Sequence, residues 1–262
     1  MSAPANDQLV AGDGWSMRFG SCLDSFSGLS LLGDKSIDVT ISDPPYSEHV
    51  ENGQAVSGRR SGQAVVRKEK IGVGFLTDDD IRALCAHYVR VTKRWGLTFC
   101  AWEQVGDYKR WIEAAGGRFV RTCGWEKPDG TPQLSGDRPA TFGEAFVVWF
   151  GDNSALSWNG RGKRGLYKFG VCRGAERTEH PTQKPLGLMR ELVEDFTNPG
   201  DLVLDSFAGS GSTGVACRML GRRFVGWELQ RRWFDVACRR IAGDEAEPNE
   251  EQLSLFAAIG AR

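Results

Sequence analysis

Apolar positions along the chain fall into short runs whose period alternates between that of a strand and that of a helix. Ile37, Val39, Thr40 and Ile41 form a β-branched run, which predicts a buried strand over 37–42. Pro44 and Pro45 lack N–H donors and must end it. Further strands are predicted over 17–20, 97–102, 118–126, 142–150, 201–207 and 223–229. Ile81, Leu84, Cys85, Tyr88 and Val91 recur at helical spacing behind Thr77, which suits an N-cap, with Asp78, Asp79 and Asp80 in the first turn. Met189, Leu192, Val193 and Phe196 form one face of a helix entered at Pro185 and stopped at Asn198-Pro199-Gly200. Helices are also expected over 22–32, 104–115, 213–220 and 231–241. Residues 1–14 read as a polar lead-in, and 47–76, 127–141 and 151–180 as irregular.

Strands alternating with helices make this an α/β chain, and 262 residues suffice for one large domain. The expected organisation is a domain over 1–243 with insertions at about 47–76 and 127–180, then an acidic tail over 244–262. An apolar fraction of 40% against 26% charged residues excludes a disordered chain. No apolar run reaches the roughly 20 residues that span a bilayer, so no membrane role is expected. The start of the chain lacks a basic stretch followed by an apolar one, so no signal peptide is read there. The seven cysteines are scattered without a C-x-x-C pair, which argues against a disulfide framework or a zinc site and for a reduced, cytoplasmic protein without metal. Net charge is only −1, but the sum hides structure. Residues 59–70 hold five basic side chains and one acid, residues 161–177 hold six and one, and residues 244–251 hold five acids alone. The two basic segments are candidates for contact with a polyanion, with Arg59, Arg60, Arg67 and Arg173 as the named groups, while an irregular stretch over 127–180 suits target recognition.

Two motifs carry chemistry. Asp205-Ser-Phe-Ala-Gly209-Ser-Gly211-Ser-Thr-Gly214 lies between a strand and a helix, and Glu228 follows Asp205 by 23 residues at the end of the next strand. Glycines there allow a tight turn and close approach of a ligand, and the later acid can accept ribose hydroxyls, which points to an adenosine-type cofactor. The second motif, Asp43-Pro44-Pro45-Tyr46, ends a strand at the edge where open α/β sheets bind ligands. An amino group conjugated to an aromatic base is a poor nucleophile, because its lone pair is delocalised into the ring. Asp43 offers a carboxylate to accept its hydrogens, Pro44 a carbonyl on a stiffened backbone, and Tyr46 a face on which a base extruded from a duplex can stack.

These matches, SDPPYS at 42–47, HPTQKPLGLM at 180–189, VLDSFAGSGSTGVA at 203–216 and GRRFVGWEL at 221–229, resemble the amino-group DNA methyltransferases with permuted motif order, in particular the short solitary enzymes of bacteria and phages. The resemblance spans residues 17–241. It implies a Rossmann-like S-adenosylmethionine-dependent methyltransferase fold, a mixed, mostly parallel sheet with helices on both faces. It further implies a cofactor site lined by Asp205, Phe207, Gly209, Gly211, Thr213 and Glu228, with Lys184 and Pro185 at the methionine end, catalytic residues Asp43, Pro44, Pro45 and Tyr46, and double-stranded DNA as partner. An Asp at the first catalytic position goes with N6 of adenine, and a Ser there with N4 of cytosine. Relatives carry Gly-Asp after the first strand where this chain has Gly20-Ser21, which leaves Ser21 and Asp24 as alternatives for that contact.

Three other readings stand beside this one. RNA or protein-glutamine methylation uses related PPY motifs, mostly with the glycine motif upstream. A nicotinamide oxidoreductase also satisfies G-x-G-x-x-G, but only one strand and one helix follow the fingerprint here. A third is a DNA-binding protein without activity. His180 is expected as a helix-entry residue with a structural hydrogen bond, the alternative being a base, and most of the nine tryptophans are expected in the core. The sequence leaves the choice between monomer and homodimer open.

Overall fold

The computed structural model describes residues 8–46, 76–130, 143–151 and 158–244. Among them, nine strands form one sheet: β1 (Gln8–Gly12), β2 (Trp15–Phe19), β3 (Val39–Ser42), β4 (Trp95–Cys100), β5 (Arg118–Glu126), β6 (Gly143–Phe150), β7 (Leu166–Lys168), β8 (Leu202–Asp205) and β9 (Arg223–Glu228). Their order across the sheet is β1-β2-β9-β8-β3-β4-β6-β5-β7. The central run β2, β9, β8, β3, β4 is parallel. The strand β6 runs antiparallel to both β4 and β5, and β1 antiparallel to β2. The helices are α1 (Asp78–Val91), α2 (Val105–Ala114), α3 (Leu186–Phe196), α4 (Ser212–Met219) and α5 (Arg231–Ala242).

Central parallel strands are covered on both faces, and side chains alternate between the two cores accordingly. In β6, Phe146, Val148 and Phe150 point into a core with α3, α4 and α5, which contribute Leu192, Val215 and Phe234. The intervening Ala145, Val147 and Trp149 enter the opposite core with Ile81, Leu84 and Tyr88 of α1 and Trp111 and Ile112 of α2. Helices therefore lie on both faces, as the resemblance implies. Thr77 caps α1 through a capping box: its hydroxyl accepts the Asp80 N–H at 3.1 Å, and the Asp80 carboxylate accepts the Thr77 N–H at 2.9 Å.

Three expectations need correction. The lead-in over 1–14 contains strand β1, joined to β2 by the two-residue turn Asp13-Gly14, with Gly14 at φ +73°. No α-helix spans 22–32; turns and a 3-10 segment, Leu29–Leu31, occupy it. The Asp24 carboxylate accepts the N–H groups of Phe26 and Ser27 at 2.8 and 2.9 Å and closes a turn there. The irregular stretch over 151–180 includes strand β7, parallel to β5.

The strand order reverses between β3 and β8. From β8 the next parallel neighbour is β9 on one side, and from β3 it is β4 on the other. Such a switch point opens a crevice at the carboxyl ends of the two strands. The two sequence motifs sit at those ends, Asp43 just after β3 and Asp205 at the end of β8.

Candidate active site

The glycine turn is built from the end of β8 into α4. Gly209 has φ +54° and Gly211 has φ +82°, a region costly for side-chain-bearing residues. A Cβ on Gly209 would stand 3.1 Å from His180 Nε2, and one on Gly211 3.0 Å from the Cα of Ala237 in α5. Both positions thus require glycine for conformation, and neighbours crowd a Cβ at each. Asp205 braces the turn from beneath: its carboxylate accepts the Thr213 hydroxyl at 2.6 Å, the Phe207 N–H at 3.1 Å and the Ser42 hydroxyl at 3.2 Å. That last bond ties the two motifs together. Glu228, at the end of β9, accepts the Gly209 N–H at 2.9 Å on one oxygen and the Gln230 N–H at 2.8 Å on the other. Each oxygen keeps a second lone pair for a ligand hydroxyl. Burial pushes Asp205 up to about 6, against the Thr213 and Phe207 hydrogen bonds. Burial likewise pushes Glu228 up to about 7, against the Gln230 and Gly209 N–H groups.

The opposite wall begins where Pro44 and Pro45 stop β3. Asp43 is partly exposed, with 27% of its side chain accessible, and Pro44 is buried. The Asp43 carboxylate is paired with the ammonium of Lys184, which also lies 3.2 Å from Glu144 Oε2. Lys127 holds the other oxygen of Glu144. Burial, and the Glu144 carboxylate beside it, push the Asp43 acid above the ordinary carboxylate value against the pull of Lys184. Glu144 goes the other way: burial would raise it, but Lys184 and Lys127 together hold it at about 2. Burial and the facing Glu144 raise the Tyr46 phenol well above its usual value, so it stays protonated.

A cleft of about 380 Å³, open to solvent, joins the two walls. Ser42 and Asp43 line one side, Asp205, Phe207, Gly209 and Thr213 the other, and Lys184 and His180 close it. Gly211 and Pro185 stand behind this lining, Gly211 as the residue before α4 and Pro185 as the residue before α3. His180 makes a structural hydrogen bond through its backbone, its N–H donating to the Thr178 hydroxyl oxygen at 3.1 Å, but it precedes α3 by several residues, its Nδ1 is buried without a hydrogen-bond partner among the described residues, and its ring packs edge-on against Trp233 at 4.8 Å. Burial, with Lys184 and Arg240 nearby, lowers it to about 4, so it is a neutral wall of the cleft. Asp24 spends its carboxylate on its own turn, and the Ser21 hydroxyl accepts the Leu23 N–H at 3.2 Å.

Arg59, Arg60 and Arg67 lie outside the described residues. Arg173 is exposed and pairs with Asp129 at 3.2 Å. Much of the basic charge over 161–177 is matched from within, with Lys163 on Asp195 at 2.7 Å and Lys168 on Glu126 at 3.5 Å. Sequence reasoning missed Glu144 and Lys127. The available signal was one acid opening an otherwise apolar strand, GEAFVVWF. Among the described residues no group of three or more metal-ligating side chains converges, and no helix is long and apolar enough to cross a membrane.

A permuted doubly wound sheet with an acid-flanked glycine turn facing a DPPY carboxylate across one cleft defines an amino-group methyltransferase. The N6/N4-type DNA methylase model matches residues 37–239, and the chain belongs to that family, whose methyl donor is S-adenosylmethionine. Type II methyltransferase M2.DpnII of Streptococcus pneumoniae is 26% identical over 242 residues, covering 84% of this chain and 88% of the relative. The solved M1.HpyAVI–SAM complex aligns with a TM-score of 0.66 at 23% identity, over 87% of this chain and 98% of that one. The cytosine-N4-specific PvuII DNA methyltransferase aligns at 0.61 with 15% identity, over 94% and 92%. At these identities the two structures speak to the fold, and both share it.

Proposed function

We propose that this DNA methyltransferase transfers its methyl group to N6 of adenine in double-stranded DNA, with Asp43 as the residue that makes the amine nucleophilic. The observation that carries the reading is the cleft shared by Asp43 and the Gly209 turn, which sets a carboxylate opposite a cofactor cradle. The residues suit S-adenosylmethionine: Gly209 sustains the tight turn that lines the cleft, Glu228 offers acceptors for a ribose, and Asp43 and Asp205 suit a cationic centre. When bound, the cofactor supplies a methyl on a sulfonium, an activated group that leaves behind a neutral thioether.

The chain's own work is positioning and polarisation. Tyr46 offers a ring face to a base flipped from the duplex. Asp43 and the Pro44 carbonyl accept the two amine hydrogens, which draws the lone pair out of the aromatic ring and aims it at the methyl. After transfer the nitrogen carries a surplus proton, and Asp43, raised by burial, is placed to take it. No covalent enzyme intermediate is needed. The basic segment over 59–70, with Arg59, Arg60 and Arg67, and the exposed Arg173 are proposed as phosphate contacts that hold the duplex. The insertions at about 47–76 and 127–180 are proposed to carry recognition within one catalytic domain.

The test is to incubate unmethylated bacterial genomic DNA with the protein and deuterated S-adenosylmethionine, then digest to nucleosides for mass spectrometry. The expected product is labelled N6-methyladenine. Label appearing only as N4-methylcytosine, or only in RNA or protein offered alongside, would overturn the assignment.

A further inference from the structure

Lys184 presents a problem that the catalytic role of Asp43 creates. A carboxylate paired with an ammonium has given one oxygen to that cation, and the cation weakens the remaining oxygen as an acceptor for an incoming amine hydrogen. Lys184 is buried, with 10% of its side chain exposed, so water cannot simply take over the charge if the pair breaks. The surroundings supply a second place for it.

Glu144 Oε2 lies 3.2 Å from the same Lys184 Nζ, close enough for an ion pair. That oxygen is buried and makes no hydrogen bond among the described residues, so it is placed to receive one from the ammonium. Its other oxygen is fixed by Lys127, and the Lys127 ammonium sits 4.2 Å from the centroid of the Trp125 ring. Trp125 faces Glu144 in register across β5 and β6. Lys184 Nζ is 5.0 Å from the Phe99 centroid and 5.7 Å from that of Trp125, distances at which ring faces attract a cation. The ammonium thus occupies an aromatic-walled slot with a carboxylate at each end. Moving it from one end to the other exchanges one ion pair for another within the slot.

We infer that Glu144 is a positioning residue, which takes the Lys184 ammonium from Asp43 when the target base enters and so frees the catalytic carboxylate. Lys127 keeps Glu144 in place to receive it. In the free protein the ammonium of Lys184 is paired with Asp43. On base entry the amine hydrogens replace the ammonium at Asp43, and Glu144 completes the coordination of Lys184. The inference rests on the assignment of Asp43 as catalytic.

The experiment compares Glu144→Gln, Glu144→Asp and Lys127→Gln with the unaltered protein, using tritiated S-adenosylmethionine and unmethylated bacterial genomic DNA. Glu144→Gln removes the second station, so kcat falls at least tenfold while cofactor affinity by calorimetry stays within about twofold; Glu144→Asp restores part of kcat. The pH profile supplies a readout that a purely structural role would not move. The groups facing Asp43 are Lys184 ahead of α3, Glu144 on β6, Lys127 after β5, Cys100 on β4, Tyr108 on α2, Asp205 on β8 and Tyr46. Removing the Glu144 charge lowers the acid limb of kcat/KM, and removing the Lys127 charge raises it. An unchanged kcat and acid limb in Glu144→Gln would overturn the inference, as would limbs that move in the same direction. If Glu144→Gln does not fold by circular dichroism, the upward shift in Lys127→Gln decides the matter, and its absence overturns the inference. Asp43→Ala run alongside separates the two levels: if it retains turnover, the catalytic assignment itself has failed.

Discussion

Gly209 joins two constraints at one Cα, a positive φ of 54° and a neighbouring His180 Nε2 that would lie 3.1 Å from any Cβ. Gly209→Asp therefore strains the turn and places a carboxylate against the imidazole. The variant is expected to bind S-adenosylmethionine at least tenfold more weakly by calorimetry, and unchanged affinity would remove the turn from the cofactor site. Residues of this kind were legible in the sequence because local rules single them out: a glycine-rich turn between a strand and a helix, and two prolines that stop a strand beside Asp43. Glu144 was not legible. Its importance comes from Lys127 and Lys184, which are distant in sequence and meet it only once β5, β6 and the segment before α3 are assembled. Arg173 shows the converse, since its charge was visible but its partner Asp129 was not.

At the scale of elements, periodicity succeeded where packing and pattern agree. Helix α1 follows its apolar positions and its Thr77 cap, and strand β5 falls on the expected residues. The helix expected over 22–32 does not form. A Cβ on Gly28 would stand 2.3 Å from the Cys22 carbonyl oxygen, which shows how tightly the chain folds back there, and Asp24 binds the N–H groups that would otherwise enter a helix. Strand β1 was missed although Asp13-Gly14 is a strong two-residue hairpin signal. Its mostly exposed pattern, fitting an edge strand, offers little apolar alternation to detect.

At the scale of the molecule, the reversal of strand order brings an early-chain and a late-chain motif to one crevice, which is why permutation leaves the site intact. Burial raises Glu228, which holds the Gly209 N–H from behind that crevice, and this makes the stability of the cofactor-free protein depend on pH. Folded Glu228 keeps its proton up to about pH 7, while its ordinary value is 4.5, so the folded state binds the extra proton between those limits. Stability contributed by this group is complete below the lower value and is lost as pH rises through the upper one. His180, lowered to about 4 from 6.5, acts in the opposite sense over part of the same range, so the total curve mixes both. Glu228→Gln isolates one component: its thermal midpoint, relative to the unaltered protein, should rise as pH goes from about 4.5 to about 7. A pH-independent difference would contradict the buried, protonated state of Glu228.

The most direct test of the whole account separates chemistry from binding at Asp43. Calorimetry with S-adenosylmethionine and methyl transfer to unmethylated DNA are measured on the same preparation of Asp43→Ala. The account predicts cofactor affinity within about twofold of the unaltered protein and turnover reduced by at least about a hundredfold, as expected for loss of a group that handles the amine protons. Near-normal methylation of DNA by this variant would contradict it.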